Sequence, residues 1–253
     1  MTLLNFQQSG IGPNIVLIHG LFGSLENLNM VAKHLSQNFS VTQVDVRNHG
    51  RSFHENNMEY SELAQDVIKV MDNLNIDSAH ILGHSMGGKI AMELALTHPQ
   101  RVEKLIVADI APVKYPPHHQ EILKGLQAID LSLVKNRNDA DKQLSAYVDN
   151  AGVRQFLLRN LTQQNGVFSF KCNLAYITQC YGQIMKAYQG SESFDQATLF
   201  IKGSLSDYIK AEYRDSILAL FPKSKAKIIQ GAGHWLHAEK TTAFNKIVSD
   251  FLK

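Results

Sequence analysis

The stretch Ala79–Thr97, AHILGHSMGGKIAMELALT, decides the fold of this chain. Its first part, Ala79–Gly83, is an apolar run typical of a buried strand, and Gly87–Thr97 has the apolar spacing of a helix. Between them Gly83-His84-Ser85-Met86-Gly87 matches the pattern G-x-S-x-G. A serine on such a tight strand-to-helix turn has a strained backbone, and glycine two positions away on each side avoids a steric clash. The pattern predicts that Ser85 is a nucleophile held at the start of a helix, where negative charge is favoured.

Strand and helix patterns alternate on both sides of this stretch. The predicted strands are Asn14–His19, Ser40–Val46, Ala79–Gly83, Val102–Asp109, Thr198–Lys202 and Ala226–Ile229. The predicted helices between and after them are Asn27–Gln37, Tyr60–Leu74, Gly87–Thr97, Tyr208–Leu220 and Thr241–Leu252. Alternation of this kind implies parallel strands joined by right-handed helical crossovers. The sequence thus predicts an α/β fold with a mostly parallel central sheet flanked by helices.

The alternation is interrupted from Pro112 onward. We expect no strands between there and Ala197, and the helical patterns in this interval are Glu121–Ala128, Ala140–Tyr147 and Tyr176–Tyr188. A long insertion in a compact fold is more often a functional lid than a plain connection. We therefore predict a core domain of residues 1–111 and 197–253, and a helical cap of residues 112–196, called the cap segment below.

Composition argues against several classes of function. The 253 residues include 25 Lys or Arg and 23 Asp or Glu, a formal net charge of +2, without the basic runs that bind nucleic acid. No apolar stretch approaches the ~20 residues that cross a bilayer, and the beginning of the chain lacks the features of a secretory signal. Its two cysteines, Cys172 and Cys180, are too few for a disulfide framework. We expect a cytoplasmic protein without nucleic-acid or membrane partners.

A serine hydroxyl needs a general base, and in this chain order the base follows the serine. His234 comes directly after Gly231-Ala232-Gly233 at the end of the last predicted strand, on the same sheet edge as Ser85. We predict His234 as the base. His237, three residues later, has no third metal ligand nearby, so we expect a helix-capping or packing role for it and no metal site.

The acid that orients the imidazole has two candidate locations. The loop after the penultimate strand, Gly203–Asp207, has Ser206 at the position where an acid is often found, and Asp207 one residue beyond it. Asp109 follows a predicted buried strand, and an ionised carboxylate there requires a partner. We favour Asp109 as the acid, with Ser206 hydrogen-bonding in its support, and keep Asp207 as the alternative.

An oxyanion hole requires two backbone N–H donors. Met86, the residue after the nucleophile, is predicted to supply one, and Leu21, in the glycine-rich loop after the first predicted strand, is predicted to supply the other. The residues expected to contact substrate beside these positions are Phe22, His84 and Trp235.

The segment Asp45–Ser52, DVRNHGRS, is the remaining distinctive motif. We interpret it as structural, with Asp45 and Arg47 fixing a loop near the rim of the site. The sequence contains neither a phosphate-binding loop nor a dinucleotide fingerprint, so we expect no cofactor.

Five motifs together resemble the serine α/β-hydrolase superfamily across essentially the whole chain: HGLFGS (19–24), DVRNHG (45–50), GHSMGGK (83–89), DIAPV (109–113) and GAGHWLHAEK (231–240). More specifically, they resemble the YbfF-type esterases. That resemblance implies an α/β-hydrolase fold with a helical cap and a catalytic set of Ser85, His234, Asp109 and Ser206. It also implies hydrolysis of carboxylic esters and of acyl-coenzyme A thioesters.

The leading hypothesis is therefore an esterase that works through an acyl-enzyme on a small-molecule ester or acyl thioester. Two alternatives remain open at this point. One is a carbon–carbon bond hydrolase or lyase on the same fold, and the other is a hydrolase-like ligand receptor with little turnover. A monomer is the expected state.

Overall fold

The computed structural model describes residues 2–253, so residue 1 of the predicted core lies outside them. The strands are β1 (Phe6–Ser9), β2 (Asn14–Ile18), β3 (Ser40–Val44), β4 (Ala79–His84), β5 (Val102–Ala108), β6 (Leu161–Gln164), β7 (Val167–Phe170), β8 (Thr198–Gly203) and β9 (Ser224–Ile229). Seven of them form one sheet in the order β1-β3-β2-β4-β5-β8-β9. Only the pair of β1 and β3 is antiparallel in that sheet. The predicted α/β fold with a mostly parallel sheet is confirmed.

The α-helices are α1 (Asn29–Leu35), α2 (Tyr60–Asn73), α3 (Met86–Thr97), α4 (Gln120–Ala128), α5 (Arg137–Leu144), α6 (Ala151–Leu157), α7 (Leu174–Gln179), α8 (Tyr181–Ile184), α9 (Arg214–Leu220), α10 (Leu236–Glu239) and α11 (Thr241–Leu252). Helices flank both faces of the sheet. Because side chains alternate along a strand, Val16 and Ile18 of β2 pack with α2 and α3, whereas Ile15 and Leu17 pack with α1 and α11. Within residues 2–253, every helix is too short or too polar to span a membrane.

The sequence-based reading missed one strand of the sheet. β1 has the sequence FQQS and lies at the sheet edge, where its two glutamines are exposed. A short edge strand with polar side chains lacks the apolar run that identifies the buried strands. Elsewhere in the sheet, the predicted strands agree with the observed ones to within two residues at each end.

The expectation that the cap segment contains no strand is wrong. β6 and β7 form an antiparallel hairpin around Asn165-Gly166, both of which have positive φ, of 50° and 82°. Asn-Gly is a strong signal for a tight hairpin turn, but the four-residue strands on either side are partly exposed and weakly patterned. The last predicted helix of the segment is also divided, into α7 and α8, at Cys180.

The parallel strands bring the candidate functional residues to one edge of the sheet. His84 at the end of β4 pairs with Ala108 at the end of β5, and Ala108 pairs with Ile201 of β8. The residues that follow these strand ends therefore leave the sheet side by side. This carboxyl edge is where open α/β sheets commonly bind ligands.

Candidate active site

Ser85 occupies the strained turn between β4 and α3. Its φ is 54° and its ψ is −121°, outside the favourable regions for a residue with a side chain. A Cβ atom on Gly83 would lie 2.0 Å from the carbonyl oxygen of Gly87, and one on Gly87 would lie 2.2 Å from that of Ile18. Both positions therefore exclude a side chain, which explains the glycine spacing around Ser85.

His234 links Ser85 to Asp109. The Nε2 atom of His234 lies 2.9 Å from the Ser85 Oγ, and its Nδ1 atom lies 2.7 Å from the Asp109 Oδ2. With Nδ1–H donating to the carboxylate, Nε2 is free to accept the serine proton. The three side chains form a continuous hydrogen-bonded chain from a fully buried carboxylate to a hydroxyl at the cavity.

Asp109 is held for this contact by its own backbone and by two further donors. It lies directly after β5 with a positive φ of 55°, and its N–H donates to the Ile201 carbonyl. The Gly203 N–H donates to Oδ1 at 3.1 Å, and the Ser206 hydroxyl donates to Oδ2. Asp109 therefore accepts three hydrogen bonds, including that from His234, which compensate for its burial.

The alternative acid, Asp207, is not brought to the imidazole. Its side chain is exposed and makes no hydrogen bond to any residue from 2 to 253. Ser206 precedes it and points inward to Asp109, so that successive residues of this loop face opposite ways. The geometry thus favours Asp109 and Ser206 over Asp207.

Leu21 and Met86 present unoccupied backbone donors beside Ser85. Among residues 2–253, neither N–H has a hydrogen-bond acceptor, and both residues border a small cavity together with Ser85. The next amide along the loop after β2, that of Phe22, donates instead to the His49 Nε2 at 3.2 Å. The Phe22 φ of 59° turns the chain at this point.

Two buried histidines brace this loop. Each approaches a backbone carbonyl through Nδ1 and accepts a backbone N–H at Nε2, His19 from Val46 and His49 from Phe22. Accepting at Nε2 requires a neutral imidazole. Burial lowers the pKa of both, that of His49 to about 3, so both keep the uncharged form that the contacts require.

The Asp45–Ser52 motif has the structural role predicted for it. Asp45 accepts hydrogen bonds from the backbone N–H groups of Leu25 and Arg51, at 2.7 and 2.9 Å. Arg47 donates from Nε to the buried Asp66 of α2 at 2.6 Å. These contacts hold the loop that contains His49 against Leu25 on one side and against α2 on the other.

A cavity of about 210 Å³ opens beside Ser85 and His234. The sequence-predicted contact residues Phe22, His84 and Trp235 all line it. The cap segment supplies the apolar side chains of the facing wall, which are Ile122, Val153, Phe156 and Leu157. The cavity is therefore bounded by the core on one side and by the cap segment on the other.

Tyr208 is a site residue that sequence reasoning missed. Its ring stacks on the His234 imidazole, with centroids 3.8 Å apart and planes inclined by 17°. Its hydroxyl lies 2.7 Å from the Nε2 atom of His118 and 3.3 Å from that of His119, both in the cap segment. The sequence predicts Tyr208 as the first residue of a helix, whereas α9 begins at Arg214 and Tyr208 lies in the loop before it. No sequence pattern reveals such a contact, since the contact depends on the fold.

His84 and His237 pack behind the imidazole of His234. The Nε2 atom of His84 lies 2.8 Å from the His234 carbonyl oxygen, and its ring centroid is 4.4 Å from that of His237. Burial, followed by the neighbouring histidines, lowers the pKa of both, that of His237 to about 3. Of the two roles expected for His237, packing is the one observed, because the residue lies inside α10 rather than at its end.

Comparison with known proteins gives a consistent result. Residues 13–241 match the family model described as the alpha/beta hydrolase fold. Esterase YbfF of Escherichia coli is 39% identical over 239 residues, which are 94% of this chain and 92% of that protein. The mouse protein named sn-1-specific diacylglycerol lipase ABHD11 is 40% identical over 248 residues, covering 95% of this chain and 81% of its own length.

Among solved structures, a marine microorganism esterase superposes with a TM-score of 0.96 at 39% identity, covering 99% of this chain and all of that one. The family match and these relatives extend over both the core and the cap segment. The chain therefore belongs to the serine α/β-hydrolase superfamily, in the branch of the YbfF-type esterases.

Proposed function

We propose that this protein is a serine esterase that hydrolyses carboxylic esters through an acyl-enzyme. The observation that carries the proposal is the hydrogen-bonded chain from Asp109 through His234 to Ser85, ending at an apolar cavity. A buried acid, an imidazole and a strained serine in this order are the arrangement that activates a hydroxyl nucleophile.

Acylation begins when the Ser85 Oγ attacks the ester carbonyl carbon and His234 Nε2 takes the hydroxyl proton. The carbonyl oxygen becomes an oxyanion, which accepts hydrogen bonds from the N–H groups of Leu21 and Met86. Collapse of this tetrahedral intermediate breaks the bond to the alcohol oxygen, and His234 returns the proton to the leaving alcohol. Deacylation repeats the same steps with water as the nucleophile.

Asp109 and Ser206 act on the imidazole rather than on substrate. Asp109 holds Nδ1–H and stabilises the positive charge that His234 acquires in each transition state. Ser206 donates to the same carboxylate oxygen and accepts the Tyr208 N–H at 3.3 Å. It thus couples the position of Asp109 to that of the ring stacked on His234.

The size of the cavity favours esters with short or medium acyl chains as the first substrates to test. Its volume of about 210 Å³ is below the ~300–1,000 Å³ typical of sites that enclose drug-sized ligands. We propose that residues 112–196 form a cap domain whose displacement admits larger substrates. The name of the mouse relative makes diacylglycerol one of these, and acyl-coenzyme A thioesters are a second class.

The test is hydrolysis of a panel of p-nitrophenyl esters of increasing chain length, together with diacylglycerol and acyl-coenzyme A. Replacing the nucleophile, Ser85→Ala, is expected to lower kcat on the best ester by about 10⁵-fold or more. The matched control is Ser61→Ala, which removes the same hydroxyl from an exposed position on α2 and is expected to retain wild-type activity.

A fluorophosphonate probe separates the alternatives. Covalent labelling of wild type and of Ser61→Ala, but not of Ser85→Ala, supports the assigned nucleophile. Equal labelling of all three proteins contradicts it. Labelling without turnover of any ester or thioester favours a ligand receptor, and turnover restricted to a vinylogous diketone favours a carbon–carbon bond hydrolase.

A further inference from the structure

Lys89 is a buried lysine beside the nucleophile. It lies one helical turn after Ser85 in α3, and its backbone N–H donates to the Ser85 carbonyl. Only 6% of the residue is exposed, and within residues 2–253 no carboxylate lies within ion-pair distance of its ammonium. Because an unpaired ammonium is costly to bury, burial lowers the pKa of Lys89 to about 7, and its polar contacts must explain why a lysine is present.

The ammonium contacts both ends of the cap segment. Nζ donates to the carbonyl oxygen of Val113 at 2.8 Å and to that of Lys186 at 2.5 Å. Val113 is the second residue of the segment, and Lys186 follows α8, its last helix, ten residues before the segment ends. These two stretches are called the ends of the segment below. The Tyr115 N–H joins them directly by donating to the Met185 carbonyl at 3.0 Å. One side chain of the core thus contacts the segment shortly after it leaves β5 and again just after its last helix.

Aromatic rings complete the surroundings of the ammonium. Nζ lies 5.6 Å from the ring centroid of Tyr60 and 4.9 Å from that of Tyr115, within the range of cation–π attraction. The Tyr60 hydroxyl donates to the Ile184 carbonyl at 2.7 Å, so this ring also holds the end of the cap segment. These rings, Lys89 and Ser85 share one small cavity of about 20 Å³.

A direct role for Lys89 as a base does not fit this geometry. The Ser85 hydroxyl is already contacted by His234, and two of the three Nζ donors are directed to backbone carbonyls. An ordinary packing role does not fit either, since an apolar side chain would fill the same space without the cost of a buried charge. The carbonyl contacts are the feature specific to a lysine.

We propose that Lys89 is a positioning residue that latches both ends of the cap segment to the nucleophile helix, and thereby holds the wall that faces Ser85. The latch is a property of the fold, whereas its effect on turnover rests on the proposed esterase function. Without it, the two ends separate from α3 and the apolar wall shifts. Esters long enough to contact that wall then bind less well, while an acetate ester is unaffected.

The test compares Lys89→Met, which keeps an unbranched apolar stem and removes every donor, with Lys186→Met. The control removes an exposed side chain that pairs with Glu59 at 2.6 Å, but it retains the Lys186 carbonyl to which Lys89 donates. We expect faster hydrogen exchange of the Tyr115 amide and of amides 183–187 in Lys89→Met only. On an octanoate ester we expect the KM of that variant to rise about tenfold, with kcat within about twofold of wild type.

Trp235 provides a second readout that needs no substrate. It is the only tryptophan of the chain, and its ring lies 5.2 Å from that of Phe156 in the cap segment. A shifted cap wall exposes the indole, so the emission of Lys89→Met is expected at longer wavelength than that of Lys186→Met. If Lys89→Met does not fold, Lys89→Gln, which keeps an amide donor on a shorter stem, is expected to show the same changes at smaller size.

Unchanged amide exchange and unchanged tryptophan emission in the Lys89 variants overturn the latch. Faster exchange with an unchanged KM for the octanoate ester overturns its link to substrate binding. If wild type hydrolyses no ester, the proposed function fails, and the exchange result still decides the latch.

Discussion

At the scale of single residues, the environment of a carboxylate determines what it can do. Asp109 is fully buried and accepts hydrogen bonds from His234, Ser206 and the Gly203 backbone, whereas Asp207 is exposed to water. Only the first arrangement holds an imidazole in one tautomer and stabilises its protonated form.

We therefore expect Asp109→Asn to lower kcat on a p-nitrophenyl ester by about 10⁴-fold, because an asparagine amide favours the wrong tautomer of His234. The matched Asp207→Asn variant changes the same group at the neighbouring exposed position, and we expect its kcat to stay within about twofold of wild type. Steady-state kinetics on both variants measure the difference. A large loss in Asp207→Asn alone would make Asp207 the acid.

At the scale of elements, the loop after β2 owes its shape to another loop. His49, from the segment after β3, accepts the Phe22 N–H, and the side-chain amide of Asn160 in the cap segment donates to the Phe22 carbonyl. Both bonds fix the residue next to Leu21, whose N–H is assigned to the oxyanion. Since such a donor acts only over a narrow range of positions, these contacts set the geometry of the site from outside it.

The substitution His49→Phe keeps an aromatic ring at this position and leaves the buried Phe22 N–H without an acceptor. We expect kcat on a short ester to fall about tenfold with little change in KM, and the free energy of unfolding to fall by about 1–3 kcal/mol. The control is His54→Phe, at an exposed position five residues later. A loss of stability with unchanged kcat would show that the brace has no catalytic effect.

At the scale of the whole molecule, buried neutral histidines link stability to pH. Burial lowers the pKa of His49 and of His237 to about 3, whereas a histidine in the unfolded chain has a pKa near 6.5. Between these values the unfolded state binds more protons than the folded state. The stabilisation from each neutral histidine is therefore complete above about pH 6.5 and is lost as the pH falls toward about 3.

We expect the free energy of unfolding to decrease over this interval by about 1.4 kcal/mol per pH unit for each such histidine. Denaturant titrations from neutral to acidic pH measure this slope. His237→Phe removes one titrating group and is expected to reduce the slope, whereas His54→Phe, which changes an exposed histidine, is expected to leave it unchanged. An identical slope in wild type and His237→Phe would contradict the assignment.

The sheet and the turn at Ser85 could be read from the sequence because their signals are local. Apolar runs identify strands buried on both faces, and the glycines at 83 and 87 reflect contacts within one turn and with the adjacent strand β2. The sequence signals were weaker in strands that are only partly buried. The edge strand β1 and the hairpin of β6 and β7 were both missed for this reason, although Asn165-Gly166 marks the hairpin turn.

By itself, then, the sequence determined the α/β alternation, the serine at a strained turn and a histidine beyond the last strand. Only the tertiary structure decided which acid meets His234, which ring stacks on it and what Lys89 holds. Each of those contacts joins residues far apart in the chain, through the order β4-β5-β8 and the return of the cap segment to the core. Local periodicity carries no information about such pairs, because strand order and side-chain direction arise only when the whole sheet assembles.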